Sequence, residues 1–168
     1  MNVEQKILFW KNSVAFQIFD GHEVSEDLIQ IAKKNIELNG AEKIVKTVCA
    51  DVFELLRQYE SDGKKFDVII LDPPAFTKSA RAVKKAYGGY KEINLRAMRI
   101  LNPGGILVTC SCSYFFDPNA FYSMLANAAA DSHRRVQVLQ KRGAAFDHPV
   151  LLGYPRSEYL CCAICKIF

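Results

Sequence analysis

The stretch FDVIILDPPAF, residues 66–76, decides the fold class, because it leads from a buried strand into a rigid polar corner. Residues 68–71 are apolar on both faces of the pleat, which is typical of a strand covered on both sides in a parallel sheet. Asp72 follows at once, and Pro73 with Pro74 then restricts the backbone to an extended turn that holds the carboxylate outward. Parallel sheets bind ligands at the carboxyl ends of their strands, so the stretch predicts a site at Asp72. A purely structural corner is the alternative interpretation.

The segments around this stretch alternate between helical and strand periodicity. Ser25 is a candidate helix N-cap and Gly40 a helix stop, while Asp117 and Pro118 have the order of an N-cap and a first helical residue. Helices are predicted over residues 25–40, 52–59, about 90–101 and 117–131. Strands are predicted over residues 43–51, 66–72, 106–110, 134–141 and 158–168.

This alternation predicts an α/β fold, a Rossmann-like doubly wound sheet with helices on both faces. The last two predicted strands follow each other without a helix between them, so we expect them to pair antiparallel. The chain has 168 residues, half of them apolar, which suits a single domain with a substantial core. No repeat or internal linker interrupts the pattern.

The cysteines and the hydropathy indicate a cytoplasmic protein. No apolar run approaches the ~20 residues of a membrane span, and the N-terminal residues lack the pattern of a secretory signal. The six cysteines are therefore expected as reduced thiols. Cys161, Cys162 and Cys165 lie inside an apolar strand pattern without a second ligand pair, so they are predicted to be core or edge-strand residues rather than zinc ligands. Cys49 has the same interpretation, and no metal is expected.

Positive charge is concentrated in residues 77–99, which contain seven basic side chains against Glu92 alone. Such a local excess predicts a surface for a polyanion, with a solvated helix face as the alternative. We expect a loop over residues 77–89 that leads into the helix at about 90–101, with Gly88 and Gly89 as a hinge. The basic residues are Lys78, Arg81, Lys84, Lys85, Lys91, Arg96 and Arg99.

Polar residues also follow the other predicted strands. Asp51 ends the strand over 43–51, and Cys112 follows the strand over 106–110. Side chains alternate along a strand, so Cys110 and Cys112 lie on the same side and can share one pocket. Thiols in that setting fit a metal site, a redox pair, a nucleophile or two small core residues.

Five segments together carry a resemblance to a known family. They are EVSEDLIQIAKKNIELNG (23–40), ADVFELL (50–56), FDVIILDPPAF (66–76), GGYKEINLRAMRILNPGGILVTCSCS (88–113) and AAFDHPVLLGYPRSEYL (144–160). In this order, with Asp-Pro-Pro-x-Phe, Ser-Cys-Ser and Asp-His-Pro in register, the chain resembles the catalytic domain of RlmI-type ribosomal RNA methyltransferases. These are class I S-adenosylmethionine enzymes that methylate carbon 5 of a cytosine in large-subunit ribosomal RNA.

The resemblance implies a site and its partners. Cys112 is implied as the nucleophile and Asp72 as the residue that holds the base, with 23S ribosomal RNA as substrate, no membrane, and a homodimer left open. The cofactor, S-adenosyl-L-methionine, is expected at Glu23, Val24, Asp51, Val52, Asp72 and Pro73. RNA is expected at Pro74, Phe76, Lys78, Arg81, Lys84, Lys85, Tyr90, Lys91 and His148.

Residues 1–21 depart from this family, because class I methyltransferases begin with a strand and a Gly-rich loop. Gly21 is the only glycine in the segment, and a parallel crossover needs a dozen or more residues. We therefore expect residues 1–21 to be an atypical segment, and 22–168 to be a partial methyltransferase domain without the first strand and the Gly-rich loop. Two alternatives stay open: an enzyme that methylates a base nitrogen, and a degenerate methyltransferase fold that binds RNA without catalysis.

Overall fold

The computed structural model describes residues 13–17, 26–48, 50–77 and 79–168, the first of these ranges by its backbone alone. Within them the strands are β1 (Ser13–Gln17), β2 (Phe66–Asp72), β3 (Leu101–Ser111), β4 (Val136–Arg142) and β5 (Cys161–Ile167). The α-helices are α1 (Glu26–Leu38), α2 (Val52–Ser61), α3 (Val83–Ile100) and α4 (Pro118–Ser132). Single 3-10 turns cover Ala80–Ala82 and Pro155–Ser157.

The strands form one sheet in the order β1-β2-β3-β5-β4. The pairs β1–β2 and β2–β3 are parallel, whereas β5 runs antiparallel to both β3 and β4. This arrangement confirms the predicted α/β sheet and its antiparallel C-terminal strands. Because β5 is antiparallel, its first residue lies at the carboxyl end of β3, where Cys161 is opposite Ser111.

The edge strand β1 is the first difference from the sequence prediction. Ser13–Gln17 lies parallel to β2, with Gln17 opposite Asp72, although no strand was expected in this segment. The strand predicted over 43–51 is wrong: residues 42–44 form a turn, and residues 45–48 have no regular structure. Both neighbours of β2 are already supplied by β1 and β3, and the apolar Ile44 is 68% exposed.

Helix α3 is the second difference, because it begins at Val83 and not near residue 90. The loop and the glycine hinge expected over 77–89 are therefore wrong for the residues from Val83 onward. A side chain at Gly89 would bring its Cβ to 3.2 Å from a ring carbon of Phe76, so glycine lets that ring pack on the helix. The contact offsets the roughly 1 kcal/mol that a glycine costs in a helix interior.

Asp117, Pro118 and Gly40 have the roles predicted from the sequence, while Asp51, at which a strand was predicted to end, instead caps α2. Ser25, the predicted cap of α1, lies outside the described residues. The Asp51 carboxylate accepts hydrogen bonds from the first backbone N–H groups of α2, and Asp117 does the same for α4, whose first residue is Pro118. Gly40, two residues after α1, has a left-handed backbone with φ of 61°, which glycine adopts without strain.

The core lies between the sheet and α3, which packs between α2 and α4. Helix α3 ends where β3 begins, and residues along both elements are buried. The largest fully buried side chains are Tyr90, Phe116, Phe121, Leu56, Ile69, Leu71, Ile93, Met98, Ile100, Leu101, Leu107 and Met124. Across the ranges that the structure describes, no helix has both the length and the apolar character needed to cross a bilayer.

Candidate active site

A pocket of about 180 Å³ opens where β2 and β3 end and β5 begins. It brings together the two residues that the sequence marks most strongly, Asp72 at the end of β2 and Cys112 just after β3. Cys110 also lines it, as expected from the alternation of side chains along β3. The complete lining is Asp72, Cys110, Ser111, Cys112, Gly143, Leu160, Cys161 and Cys162.

The Cys112 thiol contacts the Asp-Pro-Pro loop. Its Sγ lies 3.8 Å from the backbone carbonyl oxygen of Pro73, a distance suited to a weak S–H donor. Cys112 is half-buried, and the preceding Ser111 is buried at the end of the strand. A sulfur atom and a carboxylate are thus held on neighbouring parallel strands at one pocket, the arrangement that a nucleophile and a substrate-holding group require.

Tyr90 contacts both the Asp-Pro-Pro loop and the Ser-Cys-Ser segment. Its hydroxyl is 2.7 Å from Ser113 Oγ and 3.4 Å from the carbonyl oxygen of Pro74, and it accepts from the backbone N–H of Phe76 at 3.4 Å. Its ring lies 4.5 Å from the Phe76 ring and is stacked at 5.0 Å on Phe116.

The expected contact of Tyr90 with RNA is wrong for this structure, because the side chain is fully buried. The same packing occupies one face of Phe76, which is half-buried. Tyr90 therefore holds the Asp-Pro-Pro loop and the Ser-Cys-Ser segment at a fixed separation. The signal for this role in the sequence is weak, since a tyrosine at a helical core position has many explanations.

Cys162 is the pocket residue that the sequence interpretation missed. It lies on β5 directly opposite Cys110 on β3 and opposite Arg142 on β4. Alternation along CCAIC turns Cys162 to the pocket side and the buried side chains of Cys161 and Cys165 to the other face, although Cys161 still borders the pocket at the start of the strand. This alternation was the available signal.

The cysteine thiols in and beside the pocket have different pKa values because their surroundings differ. Burial raises the pKa of Cys161 and Cys165 to about 11. A hydrogen bond with Cys162, together with burial, also raises the pKa of Cys110. The same hydrogen bond and the positive charge of Arg142 lower the pKa of Cys162 to about 7, against the opposing effect of burial. One thiol of the pocket thus has the character of a thiolate near neutral pH.

The residues expected at the cofactor lie only partly within the described ranges, since Glu23 and Val24 fall outside them. Asp51 and Val52 lie at the start of α2, outside the pocket, with the Asp51 side chain exposed and Val52 buried. Oδ1 of Asp51 accepts the helix-capping hydrogen bonds. Pro73 is buried, and its carbonyl oxygen faces Cys112.

The basic segment divides into paired and exposed side chains. Lys91 forms an ion pair with Asp131 at 2.6 Å, and Arg96 and Arg99 both pair with Glu60 on α2. Arg81, Lys84 and Lys85 are exposed, while Lys78 lies outside the described residues. The positive surface is therefore smaller than the count of basic residues predicts.

Residues 143–160 form an exposed, aromatic-rich loop whose two ends, Gly143 and Leu160, line the pocket. His148 Nδ1 lies 3.3 Å from the Tyr159 hydroxyl, and Phe146 is almost completely exposed. In the part of the chain that the structure describes, no three His, Cys, Asp or Glu side chains are grouped closely enough to hold a metal ion.

Several curated relatives share high sequence identity with the chain. A protein named ribosomal RNA large subunit methyltransferase I from Photobacterium profundum is 47% identical over 139 residues, which cover 82% of this chain and 35% of the relative. Proteins of the same name from Aliivibrio fischeri (strain MJ11) and Klebsiella pneumoniae (strain 342) are 44% and 41% identical, each over 86% of this chain and 37% and 36% of their own length. The chain spans about a third of the length of these relatives.

Solved structures and a family model agree on the domain. A candidate SAM-dependent methyltransferase from Streptococcus mutans superposes with a TM-score of 0.69 at 16% identity, over 92% of this chain and 38% of that one. NSun6 from Pyrococcus horikoshii with SFG superposes with a TM-score of 0.55 at 18% identity, over 85% and 38%. These likenesses show the fold, and residues 15–144 match the model of the methyltransferase domain. The chain therefore belongs to the methyltransferase domain family.

Proposed function

We propose that this chain is the catalytic part of an S-adenosylmethionine-dependent enzyme that methylates carbon 5 of a cytosine in 23S ribosomal RNA, with Cys112 as a covalent nucleophile. The observation that carries the proposal is the pocket in which Asp72 and Cys112 meet at the ends of two adjacent parallel strands. The names of the relatives support ribosomal RNA as the substrate class.

The chemistry needs a thiolate because carbon 5 of cytosine is a poor nucleophile. Addition of the Cys112 sulfur to carbon 6 makes an enamine, in which carbon 5 carries the negative charge needed to take up a methyl group. Loss of the proton from carbon 5 and release of the thiol then restore the aromatic ring. The half-buried thiol beside the Pro73 carbonyl is accessible from the pocket, as this addition requires.

Asp72 is suited to hold the base. Its exposed carboxylate lines the same pocket and accepts hydrogen bonds only, so it pairs with the amine on carbon 4 of cytosine. The negative charge also favours protonation of the adjacent ring nitrogen, which makes carbon 6 more electrophilic. A base reaches such a pocket when it is turned out of its stack.

Two carboxylates in the described part of the chain are suited to an adenosine-containing cofactor. Asp51 retains an exposed carboxylate beside buried Val52, and Asp72 exposes its carboxylate at the end of β2. A carboxylate at a strand end, such as Asp72, or at a helix start, such as Asp51, accepts hydrogen bonds from ribose hydroxyls and from the adenine amine. When bound, S-adenosylmethionine supplies the methyl group as an electrophile. The carbonyl of Pro73 and the side chains of Glu23 and Val24 complete the set that we assign to it.

We assign RNA binding to exposed groups around the pocket. Arg81, Lys84 and Lys85 supply positive charge near the start of α3, and Lys78 belongs to the same segment. Pro74 and Phe76 are half-buried and contribute through the shape of the Asp-Pro-Pro loop. Lys91 lies on α3, and it binds RNA by exchanging its ion pair with Asp131 for one with a phosphate. His148 lies on the exposed loop whose ends line the pocket.

Trapping with 5-fluorocytosine tests the proposal. RNA with this base at the target position is incubated with S-adenosylmethionine and the natural protein that carries this sequence. Fluorine on carbon 5 cannot leave as a proton, so the covalent adduct accumulates and digestion with mass spectrometry locates it. We expect the adduct on Cys112, its loss in Cys112→Ala, and its retention in the control Cys165→Ala, whose thiol is buried in the core.

Three results would contradict the proposal. An adduct on Cys110 would move the nucleophile to the neighbouring thiol. Methylation of the RNA without any adduct would favour transfer to a base nitrogen. RNA binding without methylation in the intact protein would favour a degenerate fold.

A further inference from the structure

The thiols of Cys110 and Cys162 face each other across two antiparallel strands. They are register partners on β3 and β5, and both line the pocket. Directly opposite residues of an antiparallel pair have Cα atoms about 4.5 or 5.5 Å apart, and both separations fall within the range that a disulfide spans. The two strands therefore need little movement to be bridged.

We propose that Cys110 and Cys162 are an oxidation site of this protein and form a reversible disulfide when the pocket admits a hydroperoxide. This inference goes beyond the proposed methyl transfer and does not depend on it. Both side chains are half-buried and both line the pocket, which leaves a path for a small peroxide to reach them.

The reaction balances with the peroxide as the oxidant. The Cys162 thiolate attacks one peroxide oxygen, the O–O bond breaks, and the other oxygen leaves as water or an alcohol after taking a proton from solvent. Cys162 is then a sulfenic acid. The Cys110 sulfur attacks that sulfur, its proton and the hydroxide leave as water, and the disulfide forms. Two electrons pass from the thiol pair to the peroxide.

Cys162 is the thiol suited to the first step. Cys110 lies opposite it on β3 and Arg142 opposite it on β4, and interaction with Cys110 and with the positive charge of Arg142 lowers the pKa of Cys162 to about 7. The negative charge of Asp72 raises the pKa of Cys162, but this effect is smaller than the lowering by Arg142. A thiolate that is both populated and accessible is the one that peroxides oxidise.

The other pocket thiols are less suited as partners. Cys161 borders the pocket at the start of β5, but its side chain is buried on the opposite face from Cys162, as is that of Cys165, which is not in the pocket lining; burial raises the pKa of both. Cys112 is two residues from Cys110 along one chain, so their Cα atoms are about 6.6 Å apart if the strand geometry continues, near the upper end of the disulfide range. Oxidation should therefore select the cross-strand pair.

Peptide mapping after peroxide treatment tests this site. The reduced chain is treated with hydrogen peroxide, the remaining thiols are alkylated, and trypsin is used without reductant. The cleavage sites leave Cys110 and Cys112 on the peptide of residues 100–134, and Cys161, Cys162 and Cys165 on the peptide of residues 157–166. We expect one cross-link between these peptides, assigned by fragmentation to Cys110 and Cys162 and removed by dithiothreitol.

Two variants sharpen the test. Cys162→Ser should abolish the cross-link and slow oxidation of the Cys110 thiol about tenfold, since an ordinary thiol is only a few per cent thiolate at neutral pH. Cys165→Ser, on the same strand but in the core, should keep the cross-link. A disulfide that includes Cys112, or oxidation of both thiols to sulfinic acids without a cross-link, would overturn the proposal. Mapping of the unmodified chain decides the matter even if a variant does not fold.

Discussion

At the scale of single residues, Tyr90 controls the geometry of the candidate site without touching the pocket. Its hydroxyl contacts Ser113, Pro74 and the N–H of Phe76, which belong to the two motifs on either side of Cys112. A group of this kind positions the Cys112 thiol through its neighbours, so its loss should change the reactivity of the thiol more than the stability of the fold.

Tyr90→Phe should keep the ring packing and remove the three hydroxyl contacts. We expect a loss of roughly 1 kcal/mol in the free energy of unfolding and a several-fold faster alkylation of Cys112, because the loop over the thiol is no longer tied down. Peptide-resolved iodoacetamide labelling measures the rate.

Tyr87→Phe is the matched control, since the Tyr87 hydroxyl bonds Asn127 on α4 and not the loop. Ser113→Ala should reproduce part of the effect of Tyr90→Phe, because it removes one of the three contacts. The double variant should add little to Tyr90→Phe, since the bond between the two hydroxyls is already lost there. Equal labelling rates in the wild-type chain and Tyr90→Phe would show that Tyr90 does not position the thiol.

At the scale of elements, α2 and α3 are joined by a carboxylate between two arginines. Glu60 on α2 pairs with both Arg96 and Arg99 on α3. Burial raises the pKa of Glu60, but the hydrogen bonds and charges of the two arginines outweigh it and hold the pKa below its usual value of 4.5. A lowered pKa in the folded state means that the carboxylate stabilises the fold above that value and ceases to do so as pH falls through the folded-state pKa.

Glu60→Gln should therefore lower the stability at neutral pH by about 0.5–1 kcal/mol and flatten its decline in acid. Urea unfolding at a series of pH values from neutral to below 4.5 measures both. Glu54→Gln, which removes a more exposed pair with Arg57 within α2, is the control and should change neither. An equally steep acid decline in Glu60→Gln would mean that other carboxylates set it.

The elements whose signals lie within their own sequence were predictable. The strand over 66–72 is continuously apolar at its centre, and α2 and α4 begin with aspartate caps. The prediction errors occurred in segments whose secondary structure is determined by tertiary contacts. Gly88 and Gly89 disfavour a helix locally, but the Phe76 ring packs against Gly89 and α3 continues through them. Residues 43–48 have strand-like composition, yet the places beside β2 are filled by β1 and β3.

At the scale of the whole molecule, the site was predictable in its motifs but not in its full membership. Asp72 and Cys112 could be placed together because carboxyl ends of parallel strands meet at one edge of a sheet. Cys162 could not, since its place in the pocket depends on the antiparallel register of β5 against β3. The burial of Tyr90 likewise depends on how far α3 extends toward its N-terminus.

The described pocket also bears on cofactor affinity. The pocket does not include Asp51, which we assign to the cofactor, and residues 1–25 contain Gly21 as their only glycine, so they lack the Gly-rich loop that the family uses to hold the cofactor. We expect this chain to bind S-adenosylhomocysteine only weakly, with a Kd on the order of 1 mM. Calorimetric titration measures it, with Asp51→Ala and Asp72→Ala as variants that should weaken any residual heat. Micromolar or tighter binding would show that the chain builds a larger site than the described residues provide.

The position of β5 has a consequence for the order in which the chain can fold during synthesis. Residues 161–167 form an interior strand between β3 and β4, although they follow both strands in the chain. Until they leave the ribosome, β3 has an unpaired edge beside the Cys112 segment, and β4 has no sheet to join. The nascent chain should therefore expose an apolar strand edge until β5 has been synthesised, and a chaperone that shields such edges would act on it in that interval.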